Sequence, residues 1–229
     1  LYGEKVELRI LDPKVAKIEL GLVGFEETEL TVYKEAITIP QGVILVTGPT
    51  GSGKTSTLYA TLNYIKDEKK NIVTIEDPIE YLIDGITQIQ VNPTKNVVFS
   101  TGLRSILRQD PNVILVGEIR DRETADIVFR AALTGHIVFF TLHTNNAVST
   151  ITRLLDIGLE PYLIASSLIL VVAQRLIKLT CSYCKEEYSP DKRLLEDFKK
   201  YIDQLKIEKF YRGNGCQKCG FSGFSGRTA

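Results

Sequence analysis

Gly48-Pro49-Thr50-Gly51-Ser52-Gly53-Lys54-Thr55 spaces glycines, a lysine and a hydroxyl as a phosphate-binding loop does. The glycines let successive backbone N–H groups wrap phosphate oxygens, and a helix starting at Lys54 adds its partial positive charge. Lys54 is placed to reach the β- and γ-phosphates and Thr55 to set its hydroxyl on Mg²⁺, with Ser56 completing the nucleotide-binding run. The motif sits where it must, after the β-branched run Gly42 to Thr47 and before a helical stretch from Lys54 to Asp67.

A phosphate loop binds nucleotide; hydrolysis needs in addition an acid and a group that orients water. Val113 to Glu118 is an apolar strand ending in Gly117-Glu118, where a usual metal-holding strand ends in two acids. Glu118 is therefore the candidate general base. Glu76 and Asp77 end the strand after the phosphate loop and Glu80 follows one turn on. Their carboxylates are candidates to hold Mg²⁺ through its waters, in place of the acid that Gly117 does not supply. The two histidines bracket one strand, with His143 at the end facing the phosphates and His136 a strand length away, roughly 20 Å at ~3.3 Å per residue. His143 is the candidate γ-phosphate sensor, and for His136 a structural or interface role stands beside a catalytic one. Arg9, Arg104, Arg108, Arg120 and Arg153 are candidates to place a guanidinium on the transferred phosphate. Spacing does not say which one reaches.

Cys181-x2-Cys184 and Cys216-x2-Cys219, 31 residues apart, suit a tetrahedral four-thiolate zinc site with no open position, and hence a structural one.

The elements that must position these groups are short apolar strands alternating with helices, the pattern of a parallel sheet covered on both faces. Strands are expected at 1–10, 42–47, 71–76, 113–117 and 137–142, and helices at 54–67, 103–108, 122–133 and 147–156. Residues 86–91 and 97–99 read as a hairpin, Pro161 to Leu179 as one long apolar helix, and Arg193 to Leu205 as a helix between the cysteine pairs. The domain reading is a remnant strand and linker at 1–34, a nucleotide-binding domain at 35–180 and a tetracysteine subdomain at 181–229.

Composition narrows the classes. The 229 residues carry 28 basic and 28 acidic side chains, so the bulk positive charge of a nucleic-acid binder is absent. The longest apolar stretch, Leu163 to Ala173, is too short for a bilayer that needs about 20 residues. No basic-then-apolar leader opens the chain. The lack of any Met and the abrupt end at Gly226-Arg227-Thr228-Ala229 read as a piece of something longer.

Four boxes together go beyond a generic nucleotidase: Gly48 to Thr55, Ile75 to Tyr81, Leu103 to Asp121 and Thr134 to Thr144. In order and wording the chain resembles the secretion ATPase superfamily, and within it the GspE/PilB-type assembly ATPases, whose Walker A, aspartate, Walker B and histidine boxes these would be. The resemblance implies a RecA-like fold that hydrolyses Mg–ATP as a homohexamer on the cytoplasmic side of the inner membrane. It implies as partners an inner-membrane platform protein and other cytoplasmic-face components of a pilus or pseudopilus machine. By position it makes Glu118 the catalytic glutamate and places His143 in the histidine box. Arg9 falls in the last strand of a second N-terminal domain that lends arginines to the nucleotide, and most of that domain lies outside these residues. The cysteine pairs match the tetracysteine zinc subdomain of assembly-type members. Two other readings stay open. One is an ATP-driven DNA translocase with a zinc ribbon, against which stand the zero net charge and only Lys185 and Lys218 near the cysteine hairpins. The other is a non-hydrolysing nucleotide-gated scaffold, suggested by Gly117. No guanine-reading NKxD segment occurs, which favours ATP over GTP.

Overall fold

The computed structural model describes residues 3–6 and 19–229. Arg9 and most of the strand expected over 1–10 lie outside them. The described residues form two compact units, one running to Arg175 (with Ala229) and one from Leu176 to Thr228.

The first unit is built on six strands: β1 (Gly42–Thr47), β2 (Ile72–Glu76), β3 (Thr87–Gln90), β4 (Val113–Val116), β5 (Ile137–Leu142) and β6 (Leu168–Ala173). They form one sheet in the order β3-β2-β4-β5-β1-β6, and every pairing is parallel. Side chains alternate across a strand, so each strand feeds two cores. Val43, Leu45, Ile114, Val116, Val138 and Phe140 point to one face. They meet α3 (Phe99–Ile106) and α4 (Arg122–Leu133) there. Ile44, Val46, Val113, Leu115, Ile137 and Phe139 point to the other. Against them lie α1 (Glu27–Ile37) and α2 (Lys54–Ile65). Burial on both faces is why the strands read as unbroken apolar runs. Phe140 is fully buried and meets Phe129 edge-to-face at 5.9 Å. Phe140→Ala is expected to destabilise the protein by about 3–5 kcal/mol. The measurement is the urea midpoint, and a loss under about 1 kcal/mol would contradict this packing.

Two expectations from the sequence are corrected. Pro161 to Leu179 is not one helix. After α5 (Ala147–Asp156), α6 (Pro161–Ser167) lasts two turns, then Leu168-Ile169-Leu170-Val171-Val172-Ala173 runs as β6 beside β1, and β7 (Ile177–Thr180) follows. A run apolar on all sides is compatible with a buried helix or a buried strand, and here its β-branched residues take the open place next to β1. Gly42 admits the pairing, since a Cβ there would lie 2.3 Å from the Ile169 side chain. Nor is there a hairpin at 86–99. β3 joins β2 in parallel, a single bridge links Asn92 and Val97, and Phe99 already opens α3.

The second unit holds two small antiparallel sheets. β7 pairs with β10 (Phe224–Thr228), and β8 (Lys185–Tyr188) pairs with β9 (Phe210–Gly213). The helix expected at 193–205 forms as two pieces, α7 (Lys192–Asp197) and α8 (Lys199–Leu205), broken at Phe198. Gly213 and Gly223 let two backbones touch: a Cβ on Gly213 would lie 2.0 Å from the Gly223 carbonyl oxygen.

Candidate functional site

Four strands deliver the chemistry to one edge of the sheet. β1 ends at the phosphate loop, β2 in Glu76, β4 just before Gly117-Glu118 and β5 just before His143. Ligands of open parallel sheets bind at these carboxyl ends. A cleft of ≈ 330 Å³ opens there, lined among others by Thr50, Lys54, Thr55, Asp77, Glu118 and His143.

The loop has the form a phosphate needs. Gly53 caps α2 with φ +86° and Gly48 sits at φ +147°, where its missing Cβ would fall 2.3 Å from the Gln174 carbonyl oxygen. Only glycine passes that point. Lys54 donates to the carbonyls of Gly48 (2.9 Å) and Pro49 (3.1 Å). Burial lowers the pKa of this ammonium, and the nearby Glu118 carboxylate opposes the shift. Ser52 Oγ is the one buried side-chain oxygen or nitrogen without a partner among the described residues. A buried hydroxyl rarely stays unpaired; with the folded-back lysine and the open N-terminus of α2 it suits a phosphate chain. Pro49, Gly51 and Ser56 belong to the same turn and helix start. The hard-oxygen set required by Mg²⁺ is also present, with Thr55 Oγ1 3.5 Å from Glu80 Oε1 and Asp77 on the cleft wall.

Glu118 is the carboxylate best placed to act. Its Oε2 lies 3.4 Å from His143 Nε2, while Oε1 accepts from Arg120, whose guanidinium also approaches Asp77 at 3.7 Å. Gly117 has a packing reason: a Cβ there would lie 3.3 Å from the Glu76 Cα, because the ends of β4 and β2 crowd together. Glu76 lines the cleft, but its carboxylate is already engaged. It is 4% exposed and accepts hydrogen bonds from Tyr59, from Thr74 (2.6 Å) and from Gln88 (3.2 Å). Burial first, and then Glu76, push the Tyr59 phenol far up. Gln88 in turn donates to the Tyr81 carbonyl and accepts from Ile83 N–H, stapling the segment that carries Glu80. His136 is tied to the end of α4 through the Ala131 carbonyl at 3.0 Å.

The arginines divide. Arg120 stands at the cleft. Arg104 pairs with Glu123 at 2.7 Å and Arg108 contacts Ser105, and neither lines the cleft of its own chain. Spacing alone missed Tyr59, Gln88, Thr141 and Gln174, which brace the segments at the cleft. Thr141 donates to the Gly117 carbonyl at 2.6 Å and Gln174 accepts from Thr57 at 2.7 Å. For Thr141 and Gln174 the available signal was a polar residue inside or just closing an apolar strand, which must have a partner when buried; Tyr59 on α2 and Gln88 on the polar strand β3 carried no such signal.

The profile of the family described as "Type II/IV secretion system protein" matches residues 1–229. The chain belongs to this family. Among curated relatives, the type II secretion system ATPase E of Vibrio cholerae serotype O1 is 51% identical over 99% of this chain and 45% of its own length. The type IV pilus assembly ATPase PilB of Thermus thermophilus is 46% identical over 100% of this chain and 26% of its own. The chain thus spans about half the length, or less, of the curated relatives it matches. Among solved structures, the pilus retraction motor PilT with bound ADP superposes with a TM-score of 0.67 at 33% identity, over 88% of this chain and 62% of that one. Membership agrees with the parallel six-stranded architecture and with the resemblance carried by the four boxes.

This secretion-family chain also holds a metal-shaped cluster in its second unit. The four cysteine sulfurs lie within 4.8 Å of one another. Cys181–Cys216 are 3.9 Å apart, with Cys184–Cys219 and Cys216–Cys219 at 3.8 Å. Four ligands about 2.3 Å from a tetrahedral zinc are separated by about 3.8 Å, so the donor set fits. A disulfide would need about 2.05 Å. The Cys216 N–H donates to Cys219 Sγ, a backbone hydrogen bond that leads in lowering that thiol to about 6, while burial pushes Cys184 up to about 12.

Proposed function

We propose that this chain is the nucleotide-hydrolysing core of a motor that powers assembly of a type II secretion pseudopilus or a type IV pilus. In this reading it turns over Mg–ATP within a homohexameric ring, peripheral to the cytoplasmic face of the inner membrane. Its movements pass to a platform protein in that membrane and to associated components. The names of the relatives, secretion ATPase E and pilus assembly ATPase PilB, support the process. No helix among the described residues is long and apolar enough to cross a membrane, which agrees with a peripheral placement.

The observation that carries the reading is Glu118, held between His143 and Arg120 on the cleft wall that faces Lys54 and Thr55. Lys54 leaves the loop carbonyls to hold the β- and γ-phosphates, and the backbone N–H groups from Gly48 to Thr55 wrap them. Thr55 and the water-mediated carboxylates of Asp77 and Glu80 hold the cation, and Glu76 keeps their segment in place. When bound, Mg²⁺ neutralises the charge on the transferred phosphoryl group. Glu118 accepts the proton of the attacking water, with His143 fixing its carboxylate. Arg104, exposed on α3, Arg108, exposed in the turn after it, and Arg9 are assigned to a neighbouring subunit's nucleotide. The four cysteines bind zinc as a structural staple.

Lys54→Ala is expected to weaken ATP binding about 100- to 10,000-fold, because two charge-assisted hydrogen bonds of about 1.5–3 kcal/mol each are removed. Unchanged affinity in a fluorescent-nucleotide titration would sink the phosphate-loop assignment. Steady-state hydrolysis by the full gene product, with and without DNA at fixed salt, tests the process. Turnover indifferent to DNA supports an assembly motor, and strong stimulation by DNA would favour a translocase.

A further inference from the structure

Thr47 closes β1, whose residues are all buried. Its side chain is fully buried, and a valine would fill the same shape. A hydroxyl there costs about 1–3 kcal/mol unless it is hydrogen-bonded, so its partners explain its presence. All of them lie on the two residues that bracket His143. Thr47 Oγ1 is 3.0 Å from the Leu142 carbonyl and 3.1 Å from the Thr144 carbonyl. It also accepts from the Thr144 N–H at 2.9 Å and meets the Thr144 hydroxyl at 2.6 Å. Behind it, Thr144 Oγ1 contacts the buried Thr150 hydroxyl of α5 at 2.6 Å. On its other side Thr47 is anchored by its carbonyl, which accepts from Gln174 N–H at 2.8 Å.

The His143 ring, by contrast, is about half exposed and meets Glu118 at 3.4 Å. Packing does not hold such a ring, so its place depends on the backbone that carries it. One hydroxyl pins that backbone before and after the histidine, and it belongs to the residue directly preceding Gly48. We propose that Thr47 is a positioning residue for hydrolysis: its hydroxyl registers the histidine loop to the phosphate loop and keeps His143 on Glu118. The inference rests on reading the cleft as a triphosphatase, but its first test does not.

That test is NMR of the imidazole signals in the nucleotide-free full gene product. His143 is one of two histidines in these 229 residues, and its signals are assigned with a His143→Gln variant. Thr47→Val should shift and broaden the His143 ring signals and leave those of His136 in place, whereas Thr47→Ser should keep the native pattern. In parallel, kcat for ATP should fall about tenfold in Thr47→Val with nucleotide Kd within twofold, and Thr47→Ser should restore it. If Thr47→Val fails to fold, Thr47→Ala carries the same expectation. Unmoved His143 signals overturn the tether. Moved signals with unchanged kcat overturn its role in the reaction, and so does a kcat loss that Thr47→Ser does not rescue. Failure of the triphosphatase reading would show separately, as a parent protein that does not turn over ATP.

Discussion

Glu118→Gln is expected to cut ATP turnover about 100- to 10,000-fold while nucleotide stays bound, the range lost when a positioned general base is removed. The substitution keeps the shape of the side chain and its place beside His143 Nε2, but an amide cannot take a proton from water. Binding survives because phosphate contacts come from Lys54 and the loop backbone, which it leaves intact. The loss cannot be ascribed to unfolding. The Glu118–Arg120 pair is given up, yet that guanidinium is 61% exposed, and exposed pairs contribute roughly 0–1 kcal/mol. Burst and steady-state assays should therefore find a filled site that does not turn over, with a melting temperature within a few degrees of the parent. Turnover within about threefold of the parent would remove Glu118 from the mechanism. The base would then have to be sought at Asp77 or Glu80, the remaining acids of the cleft without Glu76's three donors.

Glu76 marks where the sequence stops being informative about the site. Read along the chain, Glu76, Asp77 and Glu80 are equivalent acids after a strand. In space, Tyr59 from α2 and Gln88 from β3 converge on Glu76 and leave the other two facing the cleft. Convergence from distant elements leaves no spacing to read. The phosphate loop was legible because all its parts are consecutive, and Glu118 and His143 because strand ends in a parallel sheet share one edge. The strands β1, β2, β4 and β5 were legible for a related reason, since burial on both faces makes them continuous apolar runs bounded by glycine or polar residues. The same property hid β6. Its run is as apolar as theirs, but it follows Pro161 and the helical turns of α6 without a break, so only the vacant edge of β1 decides its form. Arg104 and Arg108 were legible as cations and nothing more, because the group a guanidinium reaches is set by packing, and theirs lies on the helix surface.

The second unit should depend on metal for its fold. Among residues 176–228 only Cys181 and Gly223 are buried, and neither α7 nor α8 buries a side chain. Its exposed aromatics are instead covered by cations, with Lys185 4.0 Å from the Tyr211 ring centre and Arg212 5.6 Å from that of Tyr188. Such contacts contribute about 0.5–1 kcal/mol each at the surface. Ordering each residue costs about 1–2 kcal/mol of backbone entropy, so these pairs cannot hold 53 residues together. A four-thiolate zinc site contributes about 10–16 kcal/mol in apparent terms, more than all of these cation–aromatic pairs together. Elemental analysis is expected to find one zinc ion per chain in the parent and none in Cys181→Ser, which removes the buried ligand. Amide exchange across β7 to β10 should then become fast, while protection in β1, β2, β4 and β5 persists. Stripping the parent with a strong chelator should reproduce this pattern, and readding zinc should reverse it. Zinc retained in Cys181→Ser, or slow exchange in β8 and β9 of the stripped protein, would show that something other than metal holds the unit.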